Sequence, residues 1–163
     1  MAKISLIRID FRLIHGQVVA KWLKQTEATK IIVVNNTLAQ DSVMSNIYKM
    51  ATPPGVKCSV VSIDTFIKAW NKNNLGDGTA LILFKDVSTA KQTWEKGFPI
   101  DQLQIGGLGA GPGRKAVYQN MTLNQEDADM LNEMSAKGVN IFFQATPEDA
   151  KMEYSKVATD ISF

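Results

Sequence analysis

Short apolar runs alternate along the chain with longer segments in which apolar residues recur at helical spacing. The apolar runs are rich in β-branched residues and predict six strands, at residues 4–9, 31–34, 58–63, 80–84, 103–105 and 139–143. Strands that are apolar almost throughout are buried on both faces, as parallel strands are. The pattern therefore predicts an α/β fold, an open, twisted, mainly parallel β-sheet with helices on both faces.

Capping residues and apolar spacing predict the helices between these strands. A first helix follows Gly16, and its apolar face consists of Val18, Val19, Trp22 and Leu23. A second helix begins after Asn36 or Thr37, and its predicted apolar face consists of Leu38, Val43, Ile47 and Met50. Further helices are predicted at residues 65–71 with Asp64 as N-cap, at 88–95 before Gly97, at 125–137 between Asn124 and Gly138, and from Thr146 onward with Pro147 in the first helical position.

The carboxyl ends of the predicted parallel strands meet at one edge of the sheet, because the crossovers between them are right-handed. This edge is expected to collect the loop at residues 10–15, the segments 35–36 and 84–86, and the loop that begins at Gly106. Ligands bind at this edge in open α/β sheets. We therefore expect the functional site there.

The segment 106–115 carries five glycines in its first eight residues. It does not match a phosphate-binding loop, which needs a glycine directly before its lysine and a serine or threonine after it. It does not match the dinucleotide fingerprint either, because no helix-forming run follows. Two interpretations remain, a flexible connection or a lid over the loop at residues 10–15. The chain then leads into a predicted hairpin of residues 114–117 and 121–123, with Gln119 and Asn120 at the turn.

The composition limits the classes of function. A chain of 163 residues suits one domain, residues 1–163, and a net charge of +2 without a Lys/Arg block argues against nucleic-acid binding. The single cysteine, Cys58, and the single histidine, His15, exclude an intrachain disulfide and a Cys/His metal cluster. The N-terminus lacks a signal-peptide pattern, and no apolar run reaches the ~20 residues that span a bilayer. A cytoplasmic protein is expected.

His15 stands between the first predicted strand and the first predicted helix. Backbone amides at the helix N-terminus favour an anion at this position. Arg8 and Arg12 can donate charge-assisted hydrogen bonds to a phosphate. Asp10 can hold one imidazole N–H, which leaves the lone pair of the other ring nitrogen free as a nucleophile. The residues alone thus indicate a histidine that accepts a phosphoryl or acyl group, while an Arg8–Asp10 ion pair that only supports the strand end is compatible with this role.

Other chemistries find little support. A Ser–His–Asp hydrolase needs a serine in a Gly-x-Ser-x-Gly turn, which the chain lacks. Metal catalysis is disfavoured by the single histidine. We therefore expect neither a metal nor a cofactor.

The run from Arg8 to Val18, RIDFRLIHGQV, resembles the phosphorylation-site motif of the IIB subunit of the bacterial sugar phosphotransferase system, mannose/fructose/sorbose family. Four further segments resemble that family in the same order, IIVVNN at 31–36, ATPPGVK at 51–57, ILF at 82–84 and QATP at 144–147. The resemblance thus covers the whole chain. Its first motif is the specific one.

The resemblance implies a phosphocarrier with His15 as its covalent acceptor. A IIA phosphocarrier protein or domain would donate the phosphoryl group, which then passes to a sugar held by the membrane IIC/IID subunits during import. Catalysis is then expected from His15, Arg12 and Asp10, and phosphate binding from Arg8, Arg12, Gly16 and Gln17. The resemblance also implies a homodimer and a cytoplasmic protein that meets the membrane through its partners.

Phe11 departs from the family pattern, which commonly has a second acidic residue at this position. Phe11, Leu13 and Ile14 can form an apolar rim for transient docking, although Leu13 more plausibly packs the loop onto the sheet. Two other hypotheses remain from the sequence. One is a non-catalytic regulatory module of the same fold that senses a phosphorylated partner, and the other is a flavodoxin-like domain that binds a nucleotide or flavin at the same edge.

Overall fold

The computed structural model describes residues 1–163 and places seven strands in one sheet, in the order β3-β2-β4-β1-β5-β8-β9. All neighbours in this sheet are parallel except β8 and β9, and β6 and β7 form a separate antiparallel hairpin. The strands are β1 Lys3–Asp10, β2 Lys30–Val34, β3 Lys57–Val61, β4 Thr79–Phe84, β5 Gln102–Gly107, β6 Lys115–Tyr118, β7 Met121–Leu123, β8 Asn140–Phe143 and β9 Met152–Glu153. The predicted α/β architecture and the predicted hairpin are confirmed.

Seven helices cover the sheet, and they divide between its two faces. The helices are α1 Gly16–Thr26, α2 Asn36–Ala39, α3 Ser42–Ala51, α4 Ile63–Asn73, α5 Val87–Glu95, α6 Gln125–Ala136 and α7 Tyr154–Ala158. Helices α1 to α3 pack on a cluster of 11 buried apolar residues, and α4 to α7 pack on a cluster of 26 on the opposite face. None of the helices combines the length and the apolar character that crossing a bilayer requires.

Side-chain caps fix where most of these helices begin. Asn35, Asp41, Ser62, Asp86 and Asn124 each accept a hydrogen bond from a backbone N–H in the first turn that follows. The predicted cap at residue 124 is confirmed, and so are the two glycines with positive φ directly after the C-caps of α5 and α6. The prediction for α4 is wrong, because Ser62 caps the helix and the residue proposed as its cap lies inside the first turn.

The segment between β2 and β3 forms two helices rather than the single one predicted. The turn at Gln40–Asp41 breaks the helix, and Asp41 starts α3 by accepting from the Met44 N–H at 3.0 Å. The break rotates α3 so that its buried side carries Ser45, whereas Val43, Ile47 and Met50 are exposed. The predicted inner face is therefore wrong beyond Leu38.

The last predicted helix does not begin at Thr146. The Asp149 carboxylate accepts hydrogen bonds from both the backbone N–H and the hydroxyl of Thr146, at 3.1 Å each, and this closes a turn. Side-chain bonds of this kind compete with the helix for the backbone. The chain then adds β9 antiparallel to β8 and forms the short α7 only at Tyr154–Ala158.

Candidate active site at the carboxyl end of strand β1

The site forms where β1, in the middle of the sheet, ends between β4 and β5. A tight turn follows, closed by a hydrogen bond of 2.9 Å from the Leu13 N–H to the Asp10 carbonyl. Leu13 is buried with a positive φ of 55°, a conformation uncommon for a residue other than glycine. The turn brings the chain to His15, which is the N-cap residue of α1. The position of His15 thus follows from the end of the strand and from a strained, buried turn.

Asp10 is the centre of the site, since its fully buried carboxylate accepts hydrogen bonds from three other residues. Oδ2 accepts from His15 Nε2 at 2.9 Å and from Arg8 Nη2 at 3.1 Å. Oδ1 accepts from the Arg12 backbone N–H at 3.0 Å and lies 3.4 Å from Arg12 Nε. Burial by itself would raise the pKa of Asp10, but the hydrogen bond from His15 and the charge of Arg8 outweigh it and lower the pKa. The carboxylate is therefore charged at neutral pH.

His15 is held through one ring nitrogen only. Because the acceptor of Nε2 is a carboxylate, Nε2 carries a proton, and in the neutral ring the lone pair then lies on Nδ1. The side chain is 21% exposed, so the ring reaches solvent from a fixed position. This geometry presents a nucleophilic nitrogen at the surface of the sheet edge.

Arg12 supplies the accessible positive charge of the site. Its side chain is 46% exposed and lies over the Phe11 ring, with Cζ at 5.4 Å from the ring centroid. Only its Nε approaches a protein acceptor, the Asp10 carboxylate, so both terminal nitrogens are free for a ligand. A guanidinium with free terminal N–H groups suits bidentate binding of a phosphoryl group.

Arg8 is placed differently from its predicted role as a phosphate ligand. Its side chain is 2% exposed, and both terminal nitrogens are engaged inside the protein. Nη1 donates to the Gln144 carbonyl at 3.0 Å, and Nη2 donates to the Ala145 carbonyl at 3.0 Å as well as to Asp10. Burial lowers the pKa of Arg8, and the adjacent Asp10 carboxylate opposes this. The geometry makes Arg8 a residue that positions Asp10.

Two glutamines that were not predicted as site residues complete the buried network. Arg8 Nη1 also donates to Gln104 Oε1, and Gln104 Nε2 donates to Gln144 Oε1 at 3.3 Å. The Ala145 carbonyl that binds Arg8 also accepts from Trp22 Nε1 at 3.0 Å, which ties α1 to the same point. The one local signal for this network was a polar residue, Gln104, within the apolar strand β5.

Two glycines at the end of β5 make room for this network. A Cβ at Gly106 would lie closer than 3.0 Å to all three outer atoms of the Arg8 guanidinium. A Cβ at Gly107 would lie 3.0 Å from Asp10 Oδ1, tighter than side chains normally pack. A side chain at position 106 would therefore displace Arg8, whereas one at position 107 would need Asp10 to move by a few tenths of an ångström.

The start of the glycine-rich segment packs against the loop that carries His15. The Phe11 N–H donates to the Gly107 carbonyl at 3.0 Å, and a Cβ at Gly109 would lie 3.1 Å from the Phe11 ring. Thr122 Oγ1 donates to the Gly109 carbonyl at 2.6 Å and holds the segment from the other side. Residues 106 and 107 belong to β5, and residues 106–109 form one wall of the site. The flexible connection and the lid both stay predictions for this segment.

Only one of the three residues predicted to form an apolar rim around the His15 loop is exposed. Leu13 and Ile14 are buried and pack beneath α1 and α2, whereas Phe11 is 41% exposed. Phe11 is therefore the one member of the predicted rim that offers an apolar surface to a partner.

The N-terminus of α1 completes the surroundings of the imidazole. Gly16, with a positive φ of 44°, turns the chain from His15 into the helix, and Gln17 follows as an exposed residue. The first amides of a helix have no partner within it and favour an anion. No group of three or more His, Cys, Asp or Glu side chains is arranged to hold a metal ion. The site thus combines a nucleophilic nitrogen, one free guanidinium and a helix N-terminus, a combination suited to accepting a phosphoryl group.

Comparison with known proteins agrees with this chemistry. Residues 4–162 match the family model for the sorbose-subfamily IIB component of the phosphotransferase system. The chain is 30% identical over 162 residues to the fructose-specific EIIB component of Bacillus subtilis, with 99% of each chain covered. It is 28% identical over 158 residues to the mannose-specific EIIAB component of Escherichia coli K12, and the match covers 97% of this chain but 49% of that protein.

A solved structure shows the same architecture. The crystal structure of manxB from Thermoanaerobacter tengcongensis superposes with a TM-score of 0.91 at 37% sequence identity. The superposition covers 98% of this chain and 96% of the other.

Proposed function

Because the chain belongs to the sorbose-subfamily IIB components of the bacterial sugar phosphotransferase system, we propose that His15 is the residue that carries its phosphoryl group. The IIB component is a sugar phosphotransferase, and residues 1–163 would form one IIB domain. In this assignment Asp10 orients His15, Arg12 binds the phosphoryl group, and the amides of Gly16 and Gln17 add to its binding.

The observation that carries the proposal is the asymmetric environment of the imidazole. Nε2 donates to Asp10 at 2.9 Å inside the protein, and Nδ1 makes no hydrogen bond within the chain. Nδ1 is therefore the atom that we assign as acceptor. His15 is also the only histidine, so no other imidazole in the chain can take this role.

The first transfer follows from this geometry. The Nδ1 lone pair attacks phosphorus as the N–P bond to the donor histidine breaks, and the donor imidazole leaves. The phosphorylated ring becomes positively charged while Nε2 keeps its proton, and the Asp10 carboxylate stabilises this charge. Arg12 and the α1 amides stabilise the charge on the phosphoryl oxygens, and phosphoryl transfer requires little from a protein beyond such positioning and charge.

The second transfer reverses the roles at the same atom. A sugar hydroxyl forms the new O–P bond as the bond to Nδ1 breaks, and the hydroxyl proton passes to solvent. The imidazole leaves as a neutral base that Asp10 again holds through Nε2–H. Arg12 remains the exposed arginine at the phosphoryl group. The same residues thus serve both transfers.

The partners follow from the family and not from a docking surface in the structure. We assign the donor as a IIA protein or domain, supported by the relative whose name joins A and B components in one protein. The acceptor is a sugar held by membrane IIC/IID subunits, which places this chain in the cytoplasm and at the membrane only through those subunits. The homodimer stays a prediction, and sedimentation equilibrium would test it.

Intact-mass spectrometry after incubation with phosphoenolpyruvate, the general phosphotransferase proteins and a cognate IIA tests the proposal. The expected result is a gain of one phosphoryl group that is labile in acid and stable in base, as phosphohistidine is. The gain should be absent in His15→Ala. Arg12→Gln should keep the acceptor but slow phosphoryl uptake roughly 10- to 100-fold, because it removes a charge-assisted interaction of about 1.5–3 kcal/mol.

Two outcomes would contradict the assignment. Phosphorylation of His15→Ala to the wild-type extent would place the acceptor elsewhere. No phosphorylation of the folded wild-type chain by any of several IIA donors would favour the regulatory module that binds a phosphorylated partner without accepting its phosphoryl group.

A further inference from the structure

Strands β1 and β5 are paired only in part. Their pairing begins at Arg8 and Gln104 and ends at Asp10 and Gly107. The earlier part of β1, from Lys3 onward, pairs with β4 alone. The sheet therefore opens toward its amino-terminal edge as a crevice between β1 and β5, and Arg8 and Gln104 close the inner end of this crevice.

A cavity of about 410 Å³ fills the α1 side of the crevice. Its walls are the second half of α1 and the loop that follows β8. Its polar lining side chains include four glutamines and two lysines, Gln25, Gln102, Gln104, Gln144, Lys3 and Lys151. A cavity of this size is in the range of sites for small molecules.

The charge of this lining is one-sided. No aspartate or glutamate lines the cavity, and neither Lys3 nor Lys151 forms an ion pair within the chain. Lys151 Nζ lies 4.8 Å from the centroid of the Phe142 ring, which lines the cavity, and this contact holds the ammonium group beside the cavity. An occupant that carries negative charge is therefore favoured.

The aromatic residues of the cavity restrict the class of ligand further. Trp22 and Phe142 are 5% and 3% exposed, so they form an apolar floor and offer no open ring face on which a nucleotide base could stack. Gln104 and Gln144 are buried and already hydrogen-bonded within the protein, whereas Gln25 and Gln102 are exposed and their amides offer both donors and acceptors, which match hydroxyl groups. We propose that this crevice binds a phosphorylated sugar, with Lys3 and Lys151 at its phosphoryl group and the amides of Gln25 and Gln102 at its hydroxyls.

A ligand bound in the crevice would affect the support of the His15 ring through the buried hydrogen-bond network. Gln104 lines the cavity and accepts from Arg8, Arg8 donates to Asp10, and Asp10 holds His15 Nε2. Gln104 is buried and both of its amide atoms are bonded, so a ligand acts on this network by displacing the 3.3 Å bond from Gln104 Nε2 to Gln144 Oε1, and this displacement shifts the support of Arg8. The binding site stands by itself, whereas its regulatory meaning rests on the proposed function of His15, since a phosphorylated sugar is the product of that reaction.

Calorimetric titration with a hexose 6-phosphate, the free hexose and inorganic phosphate tests the site. The hexose 6-phosphate should bind most tightly, and the double variant Lys3→Gln/Lys151→Gln should weaken it by at least about tenfold, since it removes two charge-assisted contacts. Arg12→Gln is the matched control, because it removes the phosphate-binding charge of the His15 site. In this variant the affinity should stay within about twofold of the wild type.

Several results would overturn the proposal. One is no binding of hexose 6-phosphate at millimolar concentration, and another is loss of binding in Arg12→Gln with no effect of the two lysine substitutions. Equal binding of inorganic phosphate alone would show a simple anion site. Phosphorylation of His15 in the lysine double variant should stay normal, so failure of this site is separable from failure of the proposed function.

The coupling has its own readout, because the ring of His15 gives the only histidine signals in a ¹H–¹³C NMR spectrum. Hexose 6-phosphate should shift these signals in wild type and in Arg12→Gln but not in the lysine double variant. Binding in the crevice with unchanged His15 signals would overturn the coupling.

Discussion

Replacement of Gly106 by alanine tests whether the buried Arg8 supports the site as the structure indicates. The added Cβ would meet the Arg8 guanidinium carbon and both terminal nitrogens closer than 3.0 Å, which a real Cβ essentially never does. The φ of Gly106 lies outside the left-handed region, so alanine is not excluded by the backbone itself. The effect of the substitution is therefore a displacement of Arg8.

The magnitude follows from what Arg8 loses when it moves. Its bonds to Asp10 and to the carbonyls of Gln144 and Ala145 cannot all survive, and Asp10 keeps a buried charge. Breaking a buried ion pair costs about 3–5 kcal/mol, while overpacking with limited relaxation costs about 1–3 kcal/mol. Both costs arise from the same displacement of Arg8, and the larger of them sets the expected loss. We expect a loss of about 3–5 kcal/mol in the free energy of unfolding.

Urea denaturation of Gly106→Ala and Gly111→Ala measures this loss with a matched control. Gly111 lies in the same glycine-rich segment, but a Cβ there would meet only the Arg114 side chain at 3.5 Å, an ordinary contact. Gly111→Ala should therefore stay within about 0.5 kcal/mol of the wild type. Gly106→Ala should also slow phosphoryl uptake by His15, because Asp10 loses its support.

One result would refute the reasoning. A Gly106→Ala protein as stable as Gly111→Ala, with phosphoryl uptake intact, would mean that the position of Arg8 does not matter to the site.

The remaining predictions concern the same turn and one helix cap. The pKa of Asp10 is lower in the folded protein than in the unfolded chain, so as pH falls the unfolded chain takes up this proton first. The stability that Asp10 contributes is therefore complete above the ordinary pKa of about 3.9 and is lost as pH falls through the pKa of the folded state. Asp10→Asn should therefore reduce the fall of the urea midpoint between about pH 5 and pH 2. An unchanged fall over this range would contradict the prediction. Gly16→Ala meets open space but keeps a φ of 44°, so thermal unfolding should show a loss of about 1–2 kcal/mol, and no loss would mean that the turn relaxes. Ser62→Ala should lose about 1 kcal/mol of stability as a missing cap. Asp64→Ala should lower the urea midpoint by less, because it removes only an exposed ion pair with Lys96 and a charge in the first turn, and the reverse order would restore Asp64 as the cap.

The fold could be predicted largely from the sequence because the strands that form most of its sheet are apolar runs separated by segments with helical spacing. All six predicted strands are present, and their parallel arrangement follows from the helices between them. Strand β9 escaped prediction because two residues, Met152–Glu153, carry no periodicity. The break between α2 and α3 was not predicted, because the spacing of apolar residues around Asp41 also fits one continuous helix with Asp41 as a polar position on it.

Some residues of the site lie close together in the sequence, and others come from distant positions in it. Asp10, Arg12 and His15 lie within six consecutive positions, so the sequence could group them and suggest their chemistry. Gln104 and Gly106 lie about ninety positions away and join them only because β5 pairs with β1. Which residues surround a buried arginine is decided by the tertiary structure, and no pattern near residue 8 contains that information.

The placement of the two arginines explains how the site can serve as a carrier. Arg8 and Asp10 lie two positions apart on one strand, so their side chains share a face, and burial there pairs their opposite charges. This pair contributes no net charge toward the surface, which leaves Arg12 as the single free cation beside His15. A phosphoryl group with two negative charges then lies beside Arg12, the positively charged ring and the helix N-terminus, which adds a partial charge of about +0.5. A carrier must release its phosphoryl group to the next acceptor, so a site with two exposed arginines would bind the group more tightly and slow the second transfer. We therefore expect the buried position of Arg8 to limit the strength of phosphoryl binding as well as to fix the orientation of His15.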